Sequence, residues 1–213
     1  MTVNPLHQQL VQQGFVVLRK VYDDKSLADV SRMLNAALAA QGPLKPDLWG
    51  VEVVPLLSQA PDMRQYLEAP ALTRGLEDAL NAPVERIYDG ARFTSLGGGG
   101  FLPWHFHAHL AGSDGRWDPD RPGAPTGLNR VIASAYVDGA TVKTGTVWVM
   151  PRAINDPWAP PLPDPSQAWP GQVEVVLQPG DVAVWTVATY HAAWCHSAPR
   201  RIFGGIFGRT GSP

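Results

Sequence analysis

Trp104-His105-Phe106-His107-Ala108-His109 sets three imidazoles at alternate positions of a short stretch. Alternate side chains of an extended strand project to one face, so the three rings would gather on one side. Neutral imidazole is the commonest metal ligand among side chains, and two on one strand end can grip a single ion. The chain holds 6 histidines, and those outside this stretch are His7, His191 and His196. A His-x-His pair completed by a distant histidine fits a mononuclear metal site. A surface histidine stripe is the plain alternative, but clustered imidazoles repel one another whenever they protonate.

The distant partner has a natural candidate. Val175 to Trp185 reads as strand, tight turn and strand, with Pro179 pre-setting the backbone and Gly180 supplying a permissive turn position. Just beyond that second strand, Thr189-Tyr190-His191 presents an imidazole. Arg200 and Arg201 then open the last apolar strand, Ile202 to Phe207. A guanidinium matches a carboxylate in bidentate fashion. Neighbouring strand residues face opposite ways, so only one of Arg200 and Arg201 can face a cavity. Arg92, Trp104 and Trp148 are candidate pocket residues.

These residues need a scaffold, and the pattern along the chain predicts one. Leu6, Leu10 and Val11 share a face of a short opening helix that stops at Gly14. Phe15 to Leu18 is a brief buried strand. Leu27, Val30, Met33, Leu34, Ala37 and Leu38 recur at helical spacing from Asp24 to Gln41, with Asp24 or Ser26 as cap and Gly42-Pro43 as stop. A further helical stretch covers about 62–80, broken near Pro70. Strands follow near 84–94, 102–109, 130–137, 145–150, 173–177, 181–187 and 201–208. The expected architecture is mainly β with N-terminal helices, a double-sheet jelly roll that can leave a cavity between its sheets. One domain spans 1–213, with 1–83 mainly helical and 84–213 forming the β core.

Composition narrows the function. At 213 residues and 45% hydrophobic content the chain can bury a substantial core. A net charge of −2 gives no basic footprint for nucleic acid. No apolar run is long enough to span a bilayer, and the N-terminus lacks a signal-peptide layout. The single cysteine, Cys195, allows no intrachain disulfide and agrees with a reducing cytoplasm. Leu96 to Phe101 contains four consecutive glycines but lacks the Lys-Ser/Thr ending of a phosphate loop. The proline-rich segment from Asp156 to Gly171 reads as a semi-rigid lid carrying Trp158 and Trp169, or as a connector packed down by those aromatics.

Taken in order, these pieces resemble the phytanoyl-CoA dioxygenase-like branch of the Fe(II)/2-oxoglutarate oxygenases. Gly14 to Leu18, Trp104-His105, Tyr136-Val137-Asp138, Thr144 to Pro151, the turn at Gln178 to Val182, His191 and Arg200 follow in the family's sequence. The resemblance implies a double-stranded β-helix (a jelly roll, cupin-like) behind N-terminal helices. It implies His105 and His191 as ligands to Fe(II), and Arg200, in preference to Arg201, as the binder of the 2-oxoglutarate C5 carboxylate. The family's motif is His-x-Asp, and here the acidic position holds His107, which is preferred over His109 on that ground. With Fe(II) and a 2-oxoglutarate dianion, three neutral histidines make a formal site charge of 0 where one carboxylate would make it −1. His107 also fills the room that a halide would need. Pro151-Arg152-Ala153 departs from the family's usual Pro-Gly-Ser-His.

The resulting expectation is a non-haem iron oxygenase (hydroxylase-like) that takes dioxygen, 2-oxoglutarate and a small organic substrate. It has no nucleic-acid or membrane partner and a cytoplasmic location, and nothing in the pattern specifies an oligomeric state. Two rivals stand beside it. One is a three-histidine iron, copper or zinc enzyme (a dioxygenase, isomerase or hydrolase) that works without 2-oxoglutarate. The other is a non-catalytic small-molecule binding module.

Overall fold

The computed structural model describes residues 4–41, 50–94, 100–107, 128–154, 161–195 and 200–211. The chain opens with α1 (Pro5–Gln13), which the Asn4 side chain caps by accepting from the Leu6 N–H. Gly14 ends it at φ +75°, a conformation that favours glycine, and β1 (Phe15–Leu18) follows at once. In α2 (Asp24–Ala40) the expected stripe is buried through Leu27, Val30, Met33, Leu34 and Ala37. Its cap is Asp23, however, and not Asp24 or Ser26. Asp23 holds the extended backbone a cap needs, and its carboxylate accepts from the Ser26 N–H at 2.8 Å. Gln41 closes the helix, and Gly42-Pro43 lie outside the described residues.

Next come β2 (Val51–Val53) and α3 (Leu56–Gln59), neither of which the periodicity had indicated. The stretch expected as a broken helix is a 3-10 turn (Pro61–Met63), α4 (Arg64–Leu67) and α5 (Pro70–Leu80). The break falls at Ala69, whose ψ is 135°. A residue before proline is driven out of the helical region, and proline suits the first helical position.

The remaining described strands are β3 (Val84–Thr94), β4 (Gly100–His105), β5 (Arg130–Tyr136), β6 (Val147–Val149), β7 (Val173–Val175), β8 (Val182–Thr186), β9 (His191–Cys195) and β10 (Arg200–Arg209). They form two antiparallel sheets, one ordered β1-β8-β5-β10-β3-β2 and the other β4-β9-β6-β7. The sequence pattern puts His191 just beyond a strand end; it is the first residue of β9. That strand is an interior member of the smaller sheet, between β4 and β6.

Strand alternation divides the core in two. On one face of the six-stranded sheet, Val16, Val184, Ala133 and Phe203 pack with Leu34, Leu72 and Leu76 of the helices. On the other face Phe15, Trp185, Tyr136 and Ile202 meet Val147, Val149 and Val175 of the four-stranded sheet. The turn between β7 and β8 is tied down through Asp181, which is buried and accepts from the Gln178 N–H, the Lys20 N–H and Arg19 Nη1. Gly180 there has φ +86°, and a Cβ would stand 2.2 Å from the Tyr22 carbonyl oxygen. Among the described residues no helix is long and apolar enough to cross a membrane.

Candidate metal centre

Pairing of β4 with β9 sets His105 opposite His191. His107 follows two residues past the end of β4, held where its backbone N–H donates to the Val187 carbonyl at 2.8 Å. The three imidazoles converge: one ring nitrogen from each lies within 4.8 Å of the others. His107 Nε2 and His191 Nε2 stand 3.2 Å apart. His105 and His191 are buried, and His107 is half-buried. His109 lies outside the described residues.

Two of the rings are oriented from behind. His105 Nδ1 lies 2.8 Å from the Pro103 carbonyl oxygen, and His191 Nδ1 lies 3.0 Å from that of Thr189. A carbonyl oxygen only accepts, so each Nδ1 carries the proton and each Nε2 keeps its lone pair for an ion. Two nitrogens bonded to one ion at about 2.1 Å are about 3 Å apart at a right angle, and the 3.2 Å separation meets that spacing. The donor set therefore fits a divalent metal that accepts imidazole. No carboxylate belongs to the cluster among the described residues. Burial, reinforced by the neighbouring His105 and His107, holds the His191 imidazole well below its ordinary pKa and so in the neutral, ligating form.

The placement of His191 traces back to the first turn of the chain. The Thr189 hydroxyl donates to the Gly14 carbonyl at 2.8 Å, and the Thr186 N–H donates to the same oxygen at 3.0 Å. The two threonine hydroxyls also bond to each other at 2.8 Å. A Cβ on Gly14 would stand 2.7 Å from Thr189 Oγ1. Neither Gly14 nor Thr189 stood out in the sequence as part of a site. Their contact spans 175 positions, and nothing local announces it. Trp185 was likewise missed; its ring lies 4.7 Å from that of His191.

The arginine pair divides as alternation requires. Arg200 is buried, donates from Nη1 to the Gly145 carbonyl at 3.0 Å, and sets its guanidinium 5.6 Å from the centre of the Tyr136 ring. That places it toward the space between the sheets. Arg201 lies on the other face and grips Asp138 with two bonds, Nη2 to Oδ1 at 2.6 Å and Nε to Oδ2 at 3.0 Å. Arg92 on β3 registers against Ile202 and Glu52, and its guanidinium binds Glu52 Oε1. It is near enough that its charge also depresses the His191 pKa.

Trp104 and Trp148 do not join this group, contrary to their reading as pocket residues. Adjacent strand residues point to opposite faces, so His105 turned inward sends Trp104 outward. Trp104 stacks on Trp169 at 4.7 Å and 7°, and Trp148 lies 5.6 Å from Phe101 and 6.4 Å from Trp194. Both occupy the far face of the four-stranded sheet. The described part of the proline-rich segment packs down there: Trp169 is buried against Trp104 and Tyr190, and its Nε1 donates to the Asp164 carbonyl. Of the two readings for that segment, this part follows the packed connector. Trp158 lies outside the described residues.

By sequence the chain matches no protein-family model and no curated protein. By fold it is similar to several solved structures. The non-heme alpha ketoglutarate dependent epimerase SnoN from nogalamycin biosynthesis superposes with a TM-score of 0.73 at 17% identity, over 96% of this chain and 81% of that one. AviO1 from Streptomyces viridochromogenes Tue57 gives 0.70 at 16% identity, over 100% and 98%. EvdO2 from Micromonospora carbonacea var. aurantiaca, solved with 2-oxoglutarate, gives 0.66 at 17%, over 97% and 92%. At such identities the likeness is one of fold.

Proposed function

We propose that this chain is a non-haem iron oxygenase that uses 2-oxoglutarate and dioxygen on a small organic substrate, through a three-histidine metal site. One observation carries the reading. Three converging imidazoles and a buried arginine face the same inter-sheet space, in a fold shared with SnoN and EvdO2. The partition of β3, β5, β8 and β10 into one sheet and β4, β6, β7 and β9 into the other supports a double-stranded β-helix. This supports a single jelly-roll domain, and the ordered motifs from Gly14 to Arg200 are what support the phytanoyl-CoA dioxygenase-like branch. The lone cysteine supports a cytoplasmic setting.

In this reading His105, His107 and His191 hold the iron. Bound Fe(II) and 2-oxoglutarate together would supply oxidation of the substrate by dioxygen. The chain's part is to position and to exclude water. Carbonyls of Pro103 and Thr189 fix two of the ligand rings, so the ion meets lone pairs already aimed at it. Arg200 binds the far carboxylate of 2-oxoglutarate. Its bond to Gly145 fixes the plane of a fork that carries five N–H donors in all. The apolar walls of Val147, Val149 and Ile202 keep that contact dry. Arg92, partly exposed and paired with Glu52, is the substrate contact in this reading.

The test is an anaerobic calorimetric titration of 2-oxoglutarate into Fe(II)-loaded protein beside a metal-free control. Binding that requires the metal supports the reading. Tight metal binding with no 2-oxoglutarate binding would transfer it to a three-histidine metalloenzyme that works without the cosubstrate, which the cluster's lack of a carboxylate also accommodates.

A further inference from the structure

Trp185 brings to this centre a donor that no acceptor meets among the described residues. On β8, Val184 packs toward the helices, while Ala183 and Trp185 face the space between the sheets. Trp185 is 4% exposed, and its ring lies 4.7 Å from the His191 ring at 36°. Its Nε1 is buried and meets no hydrogen-bond acceptor among the described residues. The two most deeply buried indoles among the described residues behave otherwise. Trp104 Nε1 donates to the Gln167 carbonyl at 2.9 Å, and Trp169 Nε1 to the Asp164 carbonyl at 3.0 Å.

An indole N–H can only donate, and buried donors are almost always paired. An unmet donor beside His191 therefore calls for an acceptor that is not among the described residues, and a bound molecule can supply it. Trp185 and Tyr136 belong to one inter-sheet apolar cluster, with His191 against the first ring and Arg200 over the second. The molecule that fits there is anionic at the arginine end and offers oxygen at the metal end. A cation or a second N–H donor at that place would leave the indole unmet. We propose that Trp185 Nε1–H donates to an oxygen of the metal-bound end of 2-oxoglutarate, its 1-carboxylate or 2-oxo group. Trp185 is then a cosubstrate-binding residue, and the inference rests on the functional reading above.

Trp185→Phe removes the N–H and keeps an aromatic ring against His191. Calorimetry on Fe(II)-loaded protein under anaerobic conditions should show 2-oxoglutarate binding weakened roughly 10- to 100-fold, the loss of one hydrogen bond to a charged acceptor. Metal affinity should be unchanged. The thermal midpoint without 2-oxoglutarate should hold or rise, because the variant no longer buries an unmet donor. A second measurement uses wild-type protein loaded with Zn(II) and labelled with 15N-tryptophan. The indole signal absent from Trp185→Phe should move downfield, and its hydrogen exchange should slow, when 2-oxoglutarate is added.

Equal 2-oxoglutarate affinity in both proteins would overturn the assignment and leave the functional reading intact. So would an indole signal unmoved while 2-oxoglutarate binds, which is the result expected if water alone meets the N–H. Parallel losses of metal affinity and thermal midpoint would make Trp185 a structural residue and also overturn it. No 2-oxoglutarate binding in wild-type protein would remove both readings together.

Discussion

At the scale of single residues, position along a strand decides which of two like side chains reaches the space between the sheets. Arg200 and Arg201 are adjacent, yet one is buried beside Tyr136 and the other holds Asp138 on the opposite face. Arg200→Gln should weaken 2-oxoglutarate binding by about 100-fold or more, the loss of a bidentate charge-assisted contact. Arg201→Gln should leave that affinity within about twofold and lower only stability; calorimetry and urea midpoints separate the two. His191 gives a prediction with a definite sign in metal-stripped protein. Its folded pKa lies well below its ordinary value of 6.5, so below about pH 6.5 the unfolded chain takes up a proton that the folded chain refuses. Its stabilising contribution is full above that pH and is lost as the pH falls toward the folded pKa. Urea midpoints in chelator at pH 7.5, 6.5 and 5.5 should fall in that order, and His191→Phe should flatten the trend. A slope identical in the variant would assign the trend to other groups.

At the scale of elements, the candidate metal centre rests on a tie between the end of α1 and the approach to β9. Gly14 accepts from Thr186 and Thr189, and Thr189 in turn orients His191. Thr189→Val should keep the fold and reduce metal affinity about tenfold, the usual scale for a residue behind a ligand, as read by competition with a chromophoric chelator. Unchanged affinity would mean that the backbone alone fixes the histidine. Most elements of this scaffold were legible in the sequence. The stripe of α2, the apolar runs of β5 and β10, and the Pro179-Gly180 turn are local signals, and each lies where its pattern put it. β2 escaped because three residues have no period of their own and are defined by pairing with the long β3. β9 escaped because its Ala192-Ala193 core lacks the branched residues that mark a strand, and its neighbours β4 and β6 supply the register. The candidate ligands showed in His-x-His and His191, but their backing did not. Alternation says that Trp104 and His105 face apart without saying which faces in, and only the packed sheets decide that.

At the scale of the whole molecule, the two sheets are joined at this site by what would bind there. All three histidines belong to the four-stranded sheet or the chain just past it, whereas Arg200 and Trp185 belong to the six-stranded sheet. A metal ion alone would therefore clamp the end of β4 to the start of β9. Metal with 2-oxoglutarate would also bridge one sheet to the other. A ligand at about 100 times its Kd adds about 2.7 kcal/mol. In a chain of 213 residues that raises the thermal midpoint by roughly 5–10 °C. Fe(II) under anaerobic conditions should give the first such step, and excess chelator should reverse it. 2-Oxoglutarate should add a second step only when metal is present. The two steps should also differ in place. Hydrogen exchange should slow in β4 and β9 on metal loading, and in β8 and β10 only when the cosubstrate follows. Equal protection of both sheets by the metal alone would mean that the sheets are coupled through their shared core and not through the ligand. A rise with 2-oxoglutarate in metal-free protein would assign the cosubstrate site to Arg200 without the histidines.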